Sequence, residues 1–319
     1  MIFQDWLEEW LQDKKNEVKP ATYSSYLLAI ENHLIPILGG YEIEEINSAV
    51  LQEAVNKWAK EGNIKTNQPL SSKSIRENYG LATRTIKAYC EKNKMPIITY
   101  KVKLPPRDNF DIETFTKEEQ KKIILKINLA CAGKRVKYAC KCVGIGLGLC
   151  AGLRIGEVCA IKWGNIDFEN RTILVDSTAQ RISGKKGEGS EIVIGNPKTS
   201  NGFRTIPFNA TIEFFLLSLY ELCNHPGKDI YIVTNSKKCT EPRTFESTYK
   251  TFLKKAGVKV RKFHCLRHSF ATKAIACRMD YKTLSKLLGH SDIKTTLALY
   301  VHPQLEDKRV AMELMDNFI

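Results

Sequence analysis

Between residues 171 and 208 the apolar pattern of this chain changes period, and that change constrains the fold more than any other feature. RTILVDS (171–177), EIVIGNP (191–197) and FRTIPF (203–208) are short runs rich in β-branched and apolar residues. The Gly- and Lys-rich loop RISGKKGEGS and the tight turn KTSNG separate them, which predicts strands joined in sequence. Before and after this region the apolar spacing is helical. The expected fold is therefore mainly α with a small antiparallel β-sheet inserted into its second half.

The helical part is itself divided. Around KLPPRDNFDIETFTKEEQ (103–120) a Pro-Pro pair and an acidic-aromatic run interrupt the pattern, and Thr116 with Glu119 forms a capping box that opens the next helix. We expect a helical domain over 1–104, a linker over 105–113 and a second domain over 114–319. In the first, Phe3, Trp6, Leu7, Trp10 and Leu11 follow helical spacing, as do Tyr23, Tyr26, Leu27 and Ile30, with further helices at about 47–60 and 72–92. In the second, helices at about 116–129 and 134–150 lead into GLCAGLRIGEVCAIKWGNI. Past Pro303, Ala311, Leu314, Met315 and Phe318 recur at one-turn spacing, so 305–319 reads as an amphipathic tail helix.

Lys and Arg exceed Asp and Glu by 49 to 35, a net charge of +14, which points to a polyanionic partner, nucleic acid ahead of an anionic membrane surface. The excess is uneven: residues 1–61 hold 5 basic and 11 acidic side chains, 62–104 hold 9 and 2, and 105–319 hold 35 and 22. Lys73, Arg76 and Arg84 therefore mark the expected DNA-facing side of the first domain, where the serines before Lys73 offer backbone amides to a phosphate. MIFQDWLEEWLQDKK lacks the basic start and unbroken apolar run of a signal peptide, and no segment approaches the roughly 18 apolar residues of a membrane span. The ten cysteines include no CxxC pair and sit mostly in apolar helical contexts, as free thiols of a reducing cytoplasm would, and no metal site is expected.

Four segments of the second domain carry the chemistry. Arg154, in AGLRIGE, begins a helix after a Gly-containing turn and can hold a phosphate there, with Glu157 one turn on to orient it or support a neighbour. Lys198 sits in the turn GNPKTSNGF. His264 and Arg267, in FHCLRHSFAT, are three apart and share a helix face, whereas His268 is expected to point elsewhere as a packing histidine. In LGHSDIKTTLALYVH (288–302), His290 follows Gly289 at a turn and Tyr300 closes a helix ten residues later, while His302 is left outside the site. Two arginines, two histidines and a lysine suit one phosphate, and a tyrosine beside them is a nucleophile suited to a phosphodiester.

Arg154, Lys198, the H-x-x-R of His264 and Arg267, and LGH-x9-Y ending at Tyr300 together resemble, in order, the active-site motifs of the tyrosine recombinases, the phage-integrase family. The resemblance covers nearly the whole chain, since the first domain, with Trp6, Trp10 and PATYSSY, is similar to that family's helical, SAM-like core-binding domain. It implies an α+β catalytic domain in which Tyr300 attacks the scissile phosphate to give a 3′-phosphotyrosyl link and a free 5′-hydroxyl. Arg154 and Arg267 would stabilise the non-bridging oxygens, His264 and His290 would add hydrogen bonds, Lys198 would protonate the leaving oxygen, and Glu157 would support the group without touching DNA. No cofactor is implied.

The resemblance also implies a protein that is monomeric when free and assembles as a homo-tetramer on two DNA duplexes at core recombination sites, with an accessory DNA-bending or directionality factor as a further partner. Its expected task is integration and excision of a mobile element in the cytoplasm. Many relatives carry a small arm-binding domain ahead of the core-binding one, and this sequence starts directly with MIFQDWLEEW. A type IB topoisomerase shares the chemistry but is set apart by the LGH-x9-Y tail and compact first domain; relaxation without strand exchange would distinguish it. A non-enzymatic DNA-binding regulator explains the charge but not the coexistence of Tyr300, Lys198 and the arginine pair, and a metal-dependent nuclease needs clustered carboxylates that are not evident.

Overall fold

The computed structural model describes residues 1–62, 67–107, 112–183, 189–195 and 202–300, together with Arg309, Met312 and Glu313; the side chains of Ser183 and of residues 298–300 are outside it. The chain divides into two compact units, Met1–Asp111 with Arg181–Glu191, and Ile112–Gln180 with Ile192–Ile319.

Within the first unit, α1 (Phe3–Glu17), α2 (Pro20–Ala29), α3 (Ile35–Leu38), α4 (Ser48–Glu61) and α5 (Ser72–Lys92) enclose an apolar core. Phe3, Trp6, Leu7, Trp10 and Leu11 form one buried stripe of α1, and the Trp6 indole donates to the Thr85 carbonyl of α5 at 2.7 Å, so its polar edge is satisfied inside the core. Asn47 caps α4 by accepting from the amides of Ala49 and Val50, and Ser71 caps α5 through the amide of Ser74. The segment after α5 is tied back onto this unit: Gln52 bridges both the amide and the carbonyl of Lys103, and the Arg76 guanidinium donates twice to the Pro105 carbonyl.

The second unit opens with α6 (Lys117–Cys131), where Thr116 and Glu119 make the reciprocal capping box. Next comes α7 (Val136–Cys150), which is buried nearly all round because α6 and later helices pack against it. Cys140, Cys142 and Cys159 are fully buried free thiols here. The short α8 (Ile155–Ala160) leads to the strands β1 (Ile166–Asp167), β2 (Thr172–Val175), β3 (Thr178–Ser183), β4 (Ser190–Gly195) and β5 (Arg204–Pro207). Then follow α9 (Ala210–Leu222), α10 (Pro242–Lys255), α11 (His264–Ala276), α12 (Tyr281–Leu288) and α13 (Ile293–Tyr300).

The mainly helical fold with small antiparallel sheets is as the sequence predicts, but the strand connectivity differs. The runs at 191–197 and 203–208 do not pair with each other; β2 pairs with β1 on one side and β5 on the other, while β3 and β4 form a separate two-stranded sheet. Burial explains the choice. In β5, Arg204 and Ile206 face inward and register with Val175 and Ile173, whereas Ile192 and Ile194 of β4 are each 39% exposed and have no core face to complete. The strand β3 was hidden because TAQRIS has little apolar alternation and runs into a loop of glycines and lysines. The turn bearing Lys198, and the tail expected over 305–319 apart from Arg309, Met312 and Glu313, lie outside the described residues. No helix among the described residues is long and apolar enough to cross a membrane.

Candidate active site

The end of α7 sets the first arginine. Gly152 adopts φ +66°, the left-handed conformation that lets the chain reverse without a Cβ penalty, and Arg154 follows with extended backbone as the residue before α8. One turn on, Glu157 accepts from the Arg154 amide at 2.8 Å and from its guanidinium at 2.9 Å. The same carboxylate takes a bidentate pair from Arg204 of β5, both contacts at 2.9 Å. Glu157 is 4% exposed and Arg204 8%, so this is a buried ion pair, while the Arg154 side chain remains 36% exposed and open to a ligand. Burial pushes the Glu157 carboxyl up, but its bonds to Arg204 and the charges of Arg204 and Arg154 more than offset that and hold it below the usual carboxylate value.

The second arginine comes from α11. His264 and Arg267 lie one turn apart, with Arg267 only 1% exposed. A buried guanidinium needs acceptors, and Arg267 donates to the Gly152 carbonyl at 2.8 Å and to the Leu288 carbonyl. His268 does not point away: four residues after His264, its ring meets that of His264 edge to face at 4.6 Å between centroids.

These arginines converge on the C-terminus of α12. Asp280 caps the start of that helix, and Gly289, in the left-handed conformation, ends it. The three carbonyls at this negative helix end are each taken by a different arginine: Leu287 by Arg204 at 2.7 Å, Leu288 by Arg267, and Gly289 by Arg154 at 3.2 Å. His290 comes next, its amide bonded to the Ser285 carbonyl and its Nδ1 2.8 Å from the Thr296 hydroxyl of α13. Tyr300 ends α13 one turn beyond Thr296, and its side chain is outside the described residues. A cavity of about 600 Å³ opens beside His290, lined also by Arg204, Lys282 and Lys286.

Electrostatically the group behaves as one site. Burial lowers His290 to about 4, with the charges of Arg267 and Arg154 acting in the same direction. His264, although an exposed residue, is likewise lowered to about 4, by desolvation first, then by the charges of His268, Arg267 and Arg154. Both imidazoles are thus neutral at pH 7, beside the Arg154 and Arg267 guanidiniums.

Of the residues expected from sequence, Arg154, Glu157, His264, Arg267 and His290 are brought together, and Lys198 lies outside the described residues. Lys73, Arg76 and Arg84 lie on α5 of the first unit: Lys73 is exposed and reaches Glu77 at 3.8 Å, and Arg84 donates to the Tyr26 hydroxyl at 3.0 Å. Arg204 is the residue that sequence reasoning missed. Its signal was the alternation in FRTIPF, which sets Arg204 in phase with the buried Ile206 and Phe208 and so demands a buried carboxylate.

A strongly basic chain that gathers two arginines and two histidines near the end of α12, with a tyrosine closing the next helix, has the features of a DNA strand-transfer protein. Residues 113–307 match the phage integrase family, and residues 2–59 match its N-terminal SAM-like domain. The chain is 30% identical over 336 residues to the tyrosine recombinase XerC-like protein of Caldanaerobacter subterraneus subsp. tengcongensis, covering 99% of this chain and 82% of that protein. It is 27% identical over 176 residues to the ICEBs1 integrase of Bacillus subtilis, which spans 53% of this chain and 46% of that protein. In fold it is similar to the Tn1549 transposon integrase in complex with transposon right end DNA, with a TM-score of 0.76 at 21% identity over 99% of this chain and 100% of that one. The chain belongs to the phage integrase family and is a site-specific tyrosine recombinase.

Proposed function

We propose that the chain integrates and excises a mobile element by transesterification at core sites in DNA, with Tyr300 as nucleophile. The observation that carries this reading is the convergence of Arg154, Arg267, His264 and His290 on the end of α12, ten residues before a tyrosine that closes the following helix. The Tyr300 oxygen forms a bond to phosphorus as the bond to the 5′-oxygen breaks. Arg154 and Arg267 neutralise the non-bridging oxygens, a contribution that grows where water is excluded. His264, neutral at pH 7, accepts the phenol proton, and His290 donates a hydrogen bond to the phosphate. Lys198 delivers a proton to the leaving 5′-oxygen. The phosphotyrosyl ester conserves the bond energy, so attack by a free 5′-hydroxyl reseals the strand without a nucleotide cofactor.

Domain roles follow. Residues 1–104 serve as the core-binding domain, with Lys73, Arg76 and Arg84 on backbone phosphates, Arg76 by sharing its Pro105 contact. The family resemblance supports a monomer that assembles as a tetramer on two duplexes in the cytoplasm, with the tail at 305–319 docking on a neighbouring protomer and a DNA-bending or directionality factor assisting.

Nicked duplexes carrying candidate element ends test the reading. The wild-type protein should accumulate a covalent adduct and a free 5′-hydroxyl, Tyr300→Phe should bind without forming it, and Lys198→Ala should recover cleavage when the 5′-bridging oxygen is sulfur, which leaves without a proton. Adducts formed by Tyr300→Phe, or equal Lys198→Ala defects on both substrates, contradict these roles.

A further inference from the structure

We infer that Arg204 is a positioning residue for strand transfer, saturating Glu157 and holding the end of α12 so that Arg154 and His290 stay set for one phosphate. This rests on the reading of the site given above.

A carboxylate offers about four lone-pair positions, and Glu157 fills them with two contacts from Arg204 and two from Arg154, one guanidinium and one amide. With Arg204 present, the buried carboxylate is neutralised by a guanidinium that is itself buried. Arg154, which is 36% exposed, then keeps charge to spend on a ligand. Without Arg204, Arg154 becomes the nearest counter-charge for a carboxylate sealed from water, and each step it takes toward Glu157 is a step away from the phosphate.

The second role is mechanical. The Arg204 Nε holds the Leu287 carbonyl at 2.7 Å, three residues before His290, and its Nη1 also reaches the Gly202 carbonyl at 3.1 Å. Since Arg204 opens β5, six residues after Lys198, and registers against Val175 of β2, one side chain joins the strand following the Lys198 turn to α8 and to the end of α12. Arg267 and Arg154 hold the next two carbonyls and, in the function proposed above, also meet the phosphate. Arg204 is the member of the trio committed to the protein.

The test compares single-turnover cleavage of nicked duplexes at saturating protein, with either a phosphodiester or a methylphosphonate at the scissile position. The methylphosphonate carries no negative charge and so relies less on correctly placed cations. Arg204→Met should bind DNA within about threefold of wild type yet cleave the diester about a hundredfold more slowly, the scale of one misplaced charge-stabilising donor. On the methylphosphonate the deficit should shrink to less than about tenfold. Adding Glu157→Gln to Arg204→Met should recover at least about tenfold on the diester, because the uncompensated carboxylate is gone, a coupling that only interacting sites show. Should Arg204→Met fail to fold, Arg204→Lys, which keeps a charge but loses the bidentate fork, carries the same substrate comparison. Equal deficits on both substrates without recovery in the double variant, or wild-type cleavage by Arg204→Met, overturn the inference. Absence of any adduct with the wild-type protein, by contrast, removes the functional reading itself and this inference with it.

Discussion

Gly152→Ala puts the turn between α7 and Arg154 to a quantitative test. An L-residue at φ +66° bears the left-handed penalty, about 1–2 kcal/mol. The new Cβ would also stand 2.7 Å from a Phe270 ring carbon and 3.1 Å from Leu288 Cδ2, and overpacking of that kind costs about 1–3 kcal/mol. Together these give roughly 2–5 kcal/mol, and at about 2–4 °C per kcal/mol for a unit of this size the melting temperature should fall by roughly 4–20 °C. Differential scanning calorimetry reads the shift, with Gly227→Ala as control, since its Cβ would meet nothing within 4 Å and should change stability by less than about 0.5 kcal/mol. Because the Gly152 carbonyl also anchors Arg267, cleavage should fall at temperatures where the variant is still folded. A variant that melts within a degree of wild type and cleaves normally would refute the claim that this left-handed turn sets both arginines.

Glu157→Gln keeps the volume but turns an amide NH₂ toward guanidinium donors and leaves Arg204 buried without its counter-charge, so urea unfolding should show a loss of about 3–5 kcal/mol. Thr116→Ala removes one half of the capping box on α6 and should cost about 1 kcal/mol in the same assay. His264 and His290 are both held below the ordinary imidazole value of 6.5, to about 4, so between these limits the folded protein binds fewer protons than the unfolded chain. Their contribution to stability should therefore be complete above about pH 6.5 and decline as pH falls toward 4, which NMR titration of the two rings against acid unfolding will check. Bound DNA should raise both values, and titration unchanged by DNA would place the phosphate elsewhere.

What the sequence made legible was set by short-range rules. The helix over 72–92, the Thr116 cap and the AGLRIGE turn depend on residues within a few positions of one another, and each is found as read. The convergence of Arg154 and Arg267 beside His290 could be read only as an ordered set of motifs, because the arginines are gathered by the carbonyls of residues 287–289, which carry no side-chain signature. Strand pairing was misread for a related reason: whether β5 joins β2 or β4 depends on which strand has a buried face, and the apolar runs look alike until burial separates Ile173 from Ile192. Arg204 escaped because an arginine in a strand is ordinarily exposed, and its carboxylate lies 47 residues earlier in the chain. His268 is adjacent to Arg267 in sequence, but its offset of four from His264 decides its contact.

The most direct measurement is the identity of the residue that holds the DNA. Adduct trapped on a nicked core-site duplex, digested with protease and nuclease and read by mass spectrometry, should carry a 3′-phosphonucleotide on the tryptic peptide containing Tyr300, with a 5′-hydroxyl on the released strand. A nucleotide on any other residue, such as the exposed Tyr281 of α12, or a 5′-phosphate on the released strand, would contradict the account of the site.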